Sequence, residues 1–249
     1  VTEQIEGLGG SKLMAAVTSP KASYITLEDL AALENHDGVA LIAPTISGRD
    51  TAKTEGNSSD ADISGVTENT LAVDGVTVTN GRFIQANDNE LRLNVAAVGV
   101  KIARDLYGHT DVVGSRFTLL GRTFEIVGVL EEDGASSMSS EDSKIYIPIK
   151  TASRLLKQTS ILSFNASAAS VDQVDEAKAS IEKFLTQKVR PMSSDSEDKG
   201  FTIFNMGDVL SAFNSVMNTM SLLLGGIAGI SLVVGGIGIM NIMLVSVTE

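Results

Sequence analysis

Between Asp208 and Glu249 the chain has no Asp, Glu, Lys or Arg, and residues 220–247 are 28 consecutive positions filled almost entirely by large apolar side chains and glycine. A bilayer core takes about 20 apolar residues in a helix rising ~1.5 Å per residue, whereas buried apolar helices of soluble domains run to about 10–14. The run therefore predicts a transmembrane helix over 220–247. Glycines 225, 226, 229, 235, 236 and 238 would weaken a helix in water. In lipid they let a neighbouring helix approach closely. Gly225 and Gly229 form a GxxxG, and Ser231 with Gly235 repeats the small-xxx-small spacing, so these four are the expected helix-packing residues.

Just upstream, Val209, Phe213, Val216 and Met220 follow one another at +4, +3 and +4, the spacing of a single helix face. Asn205 followed three residues later by Asp208 reads as an N-cap with an acidic first turn. A stalk helix over 206–219, continuous with the membrane helix, is the expected result. It would couple the preceding residues rigidly to the bilayer.

The first 200 residues are of another kind. Overall the chain is 43% apolar with a net charge of −12, and nearly all the charge precedes residue 209. Such an acidic surface repels a phosphate backbone, so nucleic acid is not an expected partner. There is no cysteine, which excludes disulfides and thiolate chemistry. Val1 is not an initiator, and VTEQIEGLGG lacks the apolar region of a signal peptide, so the chain reads as a piece of something longer.

Residues 13–18 read as a strand, 23–35 as a capped helix with Leu27, Leu30, Ala31 and Leu33 inward, and 39–46 as a second strand. The pattern returns at 161–169, at 171–188 (Val171, Val174, Ala177, Ile181, Phe184 and Leu185 inward) and at 201–204. The expected fold is α+β. Two β-α-β units, residues 1–47 and 158–205, form a membrane-proximal subdomain, with a β-rich subdomain inserted at 48–157. Within the insertion, SRFTLLGRTFEIVGVL predicts a hairpin turning at Leu120-Gly121, and VGVKIARDLYG a short helix closed by Gly108. The acidic serine-rich stretch after Leu130 predicts an excursion between strands.

No catalytic pattern emerges. There is no GxxxxGK[ST] or GxSxG, and His36 and His109 lie in polar turns without surrounding ligands. The carboxylates of EEDGASSMSSED lack the alternation of an EF-hand loop. Arg82, in TNGRFIQANDNE, reads as structural. No catalytic, cofactor or metal residue is expected, and the chain does not read as an enzyme.

IAGISLVVGGIGIMNIMLVSVTE (227–249) resembles the second membrane helix of the MacB-like branch of ABC-transporter permeases. NGRFI, VAAVGVKIARDLYG, VVGSRFTLLGRTFEIVGVL and KIYIPIKTASRLL are similar to that family's extracytoplasmic core domain. VTEQIEGLGGSKLMAAV resembles the passage leaving the first membrane helix, with Gly10-Ser11 in place of the usual Asn. The resemblance implies a location in the cell membrane, with residues 1 to about 219 on the extracytoplasmic side. It implies partnership with an ABC ATPase domain or subunit, whose own segment would hold ATP and Mg, a membrane-fusion-type adaptor, and a homodimer in the full-length permease. ATP-driven motion would then pass along the stalk to an export pathway for drugs, peptides or toxins. The alternatives are an FtsX-like permease that activates an extracellular hydrolase, and LolC/LolE-like lipoprotein release. With both chain ends returning to the bilayer, the inserted 48–157 is the expected adaptor-contacting surface.

Overall fold

The computed structural model describes residues 11–19, 25–132, 141–189 and 199–248. The serine-rich excursion expected after Leu130 lies mostly outside them, as does the passage 1–10. Helix α1 (Leu27–Leu33) starts one residue after Thr26, whose hydroxyl accepts from Asp29 N at 3.2 Å while the Asp29 carboxylate accepts from Thr26 N at 3.0 Å. This reciprocal cap satisfies two otherwise orphaned N–H groups. Leu30 and Leu33 point inward as expected, whereas Ala31 is exposed.

Strand β1 (Lys12–Val17) precedes α1 and β2 (Val39–Lys53) follows it; β9 (Ser163–Ala168), α6 (Val174–Lys188) and β10 (Phe201–Asn205) form the second unit. The units interlock. β9 lies between β1 and β2 and is antiparallel to both, while β1 lies between β9 and β10. The order β10-β1-β9-β2 is that of a split β-α-β fold, in which each unit supplies the strand that fills the gap in the other. Ala177, Ile181 and Leu185 of α6 are fully buried, Val174 nearly so, and the Lys188 ammonium meets Asp29 of α1 at 2.7 Å. Val171 falls in a 3-10 turn before α6, and Phe184 is half-buried against the core.

β2 is long enough to serve two neighbourhoods. Val39–Thr45 pairs with β9, and Ile46–Lys53 pairs with β3 (Ser58–Val66). β3 runs parallel to β8 (Lys144–Pro148), which pairs with β5 (Val95–Val98), which pairs with β7 (Arg122–Leu130). β7 also pairs with β4 (Val78–Gly81) and with β6 (Arg116–Leu119), and β6 returns to β2 through Lys53 and Thr118. Pairing in the middle region thus closes on itself, which protects strand edges. The boundary expected at residue 48 falls inside β2. The strand continues through that boundary, the ten strands among the described residues share one hydrogen-bonded path, and the chain divides into compact units between Asn205 and Met206.

The β6–β7 hairpin turns at Leu120 (φ 50°) and Gly121 (φ 71°), two left-handed residues as a type I′ turn requires. Leu120 N donates to Asp50 Oδ2 at 2.7 Å, tying this turn to β2. Phe117 and Phe124 stack beneath it with ring centroids 6.1 Å apart. Short helices α2 (Asn69–Asp74), α3 (Ala86–Glu90), α4 (Val100–Tyr107) and α5 (Ile149–Leu156) link the strands. α4 ends at left-handed Gly108, as the sequence predicts.

Candidate functional site: an exposed apolar helix and its flanking motifs

Helix α7 runs unbroken over Met206–Thr248, 43 residues, or about 65 Å at ~1.5 Å per residue. Asp208 is in its first turn, and Asn205 closes strand β10. From Phe213 to Met240 the mean hydropathy is 2.2 and none of the residues is buried, a length and composition sufficient to cross a bilayer. That window begins before the 220 expected for the membrane segment. The helix itself marks no joint between a stalk over 206–219 and a span over 220–247.

Of the expected stalk row, Phe213, Val216 and Met220 are 62%, 57% and 54% exposed; the side chain of Val209 is outside the described set. Added Cβ atoms at Gly225, Gly229 and Gly235 would meet nothing within 4 Å. At about 100° per residue, Gly225, Gly229 and Gly236 fall within roughly 40° of one another. Ser231, Gly235 and Gly238 form a second row about 120° round the helix. The four expected packing residues therefore occupy two faces.

Arg82 is a structural clamp. Its guanidinium holds Asp88 at 2.6 and 3.0 Å and donates to Phe83 O at 3.0 Å, while Gln85 N donates to Asp88 Oδ2 at 2.9 Å. Burial pushes the Asp88 carboxyl up, but the hydrogen bonds from Arg82 and Gln85 outweigh it and hold it below the usual carboxylate range. The backbone packs just as tightly. A Cβ at Gly128 would lie 2.2 Å from Arg82 O, and one at Gly81 (φ 79°) 2.2 Å from Val127 O. Asp88 was the partner missed in sequence; its signal was the six-residue spacing within RFIQAND. His36 Nδ1 lies 3.2 Å from Ala32 O, and the His109 ring lies 6.5 Å from that of Tyr107.

The family model for the MacB-like periplasmic core domain matches residues 1–184. The chain belongs to this family. It is 35% identical over 228 residues to the macrolide export ATP-binding/permease protein MacB of Bdellovibrio bacteriovorus, covering 90% of this chain and 35% of that protein. To the pyoverdine export ATP-binding/permease protein PvdT of Pseudomonas savastanoi pv. phaseolicola it is 33% identical, covering 93% and 35%. The chain thus spans about a third of these relatives' length. In fold it is similar to the periplasmic region of MacB from Actinobacillus actinomycetemcomitans, with TM-score 0.69, 16% identity, and coverage of 85% of this chain and 96% of that one. It is also similar to the extracellular domain of the noncanonic ABC-type transporter YknZ from Gram-positive bacteria, with TM-score 0.63, 20% identity, and coverage of 78% and 100%. This MacB-like chain is therefore the periplasmic-core-domain portion of an ABC-transporter permease, followed by an apolar helix long enough to span the membrane.

Proposed function

We propose that the chain transmits ATP-driven motion from a cytoplasmic nucleotide-binding domain to an adaptor-linked export pathway, residues 1 to about 219 standing outside the membrane. The observation that carries this reading is α7 itself, one helix without proline or break from Met206 through the apolar window. A continuous helix passes displacement along its axis, whereas a loop at the membrane surface would absorb it. The names of the MacB and PvdT relatives, each an export ATP-binding/permease protein, support export as the direction. The closed strand region within 48–157 is the proposed adaptor surface. The two small-residue rows of α7 are proposed to pack against sister helices in a homodimer.

The test is Ser215→Pro in the full-length permease. Proline removes a helical hydrogen bond and clashes with the preceding turn at a cost of about 3 kcal/mol or more. Ser215 is exposed and about 120° round the helix from the Phe213–Met220 row, so packing along that row is spared. Basal ATPase activity and adaptor binding should persist while export is lost. Export at the unmodified rate would show that this segment is only a tether.

A further inference from the structure

A cleft of about 250 Å³ opens beside β2 at the point where that strand changes partners. Leu30, Ile42 and Ile149, each no more than 2% exposed, give it an apolar floor together with Pro44. A second cavity of about 460 Å³ shares Leu27, Ala31, Ile149 and Lys150 with it and extends the groove along α1.

The polar lining is one-sided in what it offers. Glu34 is fixed by bonds to one oxygen, Oε1 accepting from Ile42 N at 2.9 Å and from Asn69 Nδ2 at 2.8 Å. Its Oε2 remains to accept. Asn89 is only 6% exposed, and its Nδ2 reaches Glu68 Oε2 and Val66 O at 3.4 Å each. Its Oδ1, like Thr67 Oγ1, is buried without a hydrogen-bond partner, an arrangement that ordinarily costs free energy. Glu90 completes the acidic side, and among the described residues Lys150 is the only cation lining the cleft, so three carboxylates face one ammonium.

We infer that this cleft binds a small amphipathic amine, its apolar body on Leu30, Ile42, Pro44 and Ile149 and its protonated nitrogen among Glu34, Glu68 and Glu90. An anion would meet the carboxylates, and a neutral hydrocarbon would leave the Asn89 oxygen unsatisfied. An ammonium supplies N–H donors to the unpartnered oxygens and positive charge against the carboxylates that outnumber Lys150. Only the identification of the amine as cargo rests on the export reading; binding stands apart from it.

The test uses the full chain in lipid nanodiscs, titrated calorimetrically with 1-adamantanamine and its isosteres 1-adamantanol and adamantane-1-carboxylate, with empty nanodiscs subtracted. The amine should bind roughly tenfold more tightly than the alcohol, the margin expected of a charge-assisted hydrogen bond. The carboxylate should bind more weakly than either. Glu90→Gln should bring the amine down toward the alcohol without changing the alcohol's own affinity. Ala31→Trp, at an exposed wall position that leaves the core untouched, should weaken the amine and the alcohol together. Equal binding of amine and carboxylate, or an amine affinity indifferent to Ala31→Trp, would overturn the site. Intact binding without export of the amine by the full-length permease would overturn only its assignment as cargo.

Discussion

Ile42 and Ile230 carry the same side chain, yet one is 2% exposed and the other 67%. Gly65 and Gly229 differ in the same way. A Cβ at Gly65 would sit 2.2 Å from that of Ala152, whereas one at Gly229 would meet nothing within 4 Å. In the compact unit that ends at Asn205 most apolar side chains are buried within the chain, although Leu91 and Phe204 are 69% and 56% exposed. In α7 none of the described apolar side chains between Phe213 and Met240 is buried, so their environment must come from outside. Removing about 25 cal/mol of unfavourable exposure per Å² is a strong incentive to find lipid or another helix.

The comparison is most severely tested at phenylalanines. Phe164 is 1% exposed in β9, and Phe164→Ala should cost the compact unit about 3–5 kcal/mol in chemical denaturation. Phe213→Ala should leave that same transition within about 0.5 kcal/mol of the parent. Equal losses would mean that α7 is part of the folded core.

Glycines sharpen it next. Gly128→Ala places a methyl against a backbone carbonyl and should destabilise by about 3 kcal/mol. Gly229→Leu, a far larger change, should leave the unfolding of the compact unit unmoved and instead weaken helix–helix association measured in bilayers. Unchanged association would remove Gly229 from the packing face.

A smaller effect comes from the clamp. The Asp88 carboxyl is held below its ordinary value, so its contribution is fully present above the unfolded pKa, about 3.9, and is lost as pH falls through the folded one. Asp88→Asn should lower stability at neutral pH by about 2 kcal/mol. Below about pH 4 the variant should lose stability less steeply than the parent. Parallel pH profiles would show that the Arg82–Asp88 pair does not act as an ion pair.

What could be read from the sequence was what is local. The apolar helix, the type I′ turn at Leu120-Gly121 and the helix closed by Gly108 each rest on neighbouring residues. The interlocking of β1, β9, β2 and β10 rests on pairings between positions far apart, which periodicity does not encode. The missed continuation of β2 has a particular cause. Arg49, Asp50, Thr51 and Lys53 look like a polar linker, but Ile46 and Ala52 face the core while Arg49 and Thr51 bond to Asp62 and Asp60 across the ladder. α2 and α3 are too short to show a period. The amine cleft was invisible for a related reason: five separate segments contribute to it. The small residues of α7 are legible in the sequence, and their division into two rows follows from the helical increment of about 100° per residue.

That the apolar window lies in lipid while the preceding unit buries its own core is measured most directly by cysteine accessibility: these 249 residues hold no cysteine, and any cysteine elsewhere in the full-length permease is first replaced by serine. Single cysteines at Glu55, exposed near the end of β2, and at Ile230, within the window, are treated with a membrane-impermeant maleimide in intact spheroplasts expressing the full-length permease. Glu55→Cys should label rapidly, and Ile230→Cys not at all until the membrane is dissolved in detergent under denaturing conditions. Labelling of Ile230→Cys at the rate of Glu55→Cys in intact membranes would contradict the placement of the window in lipid.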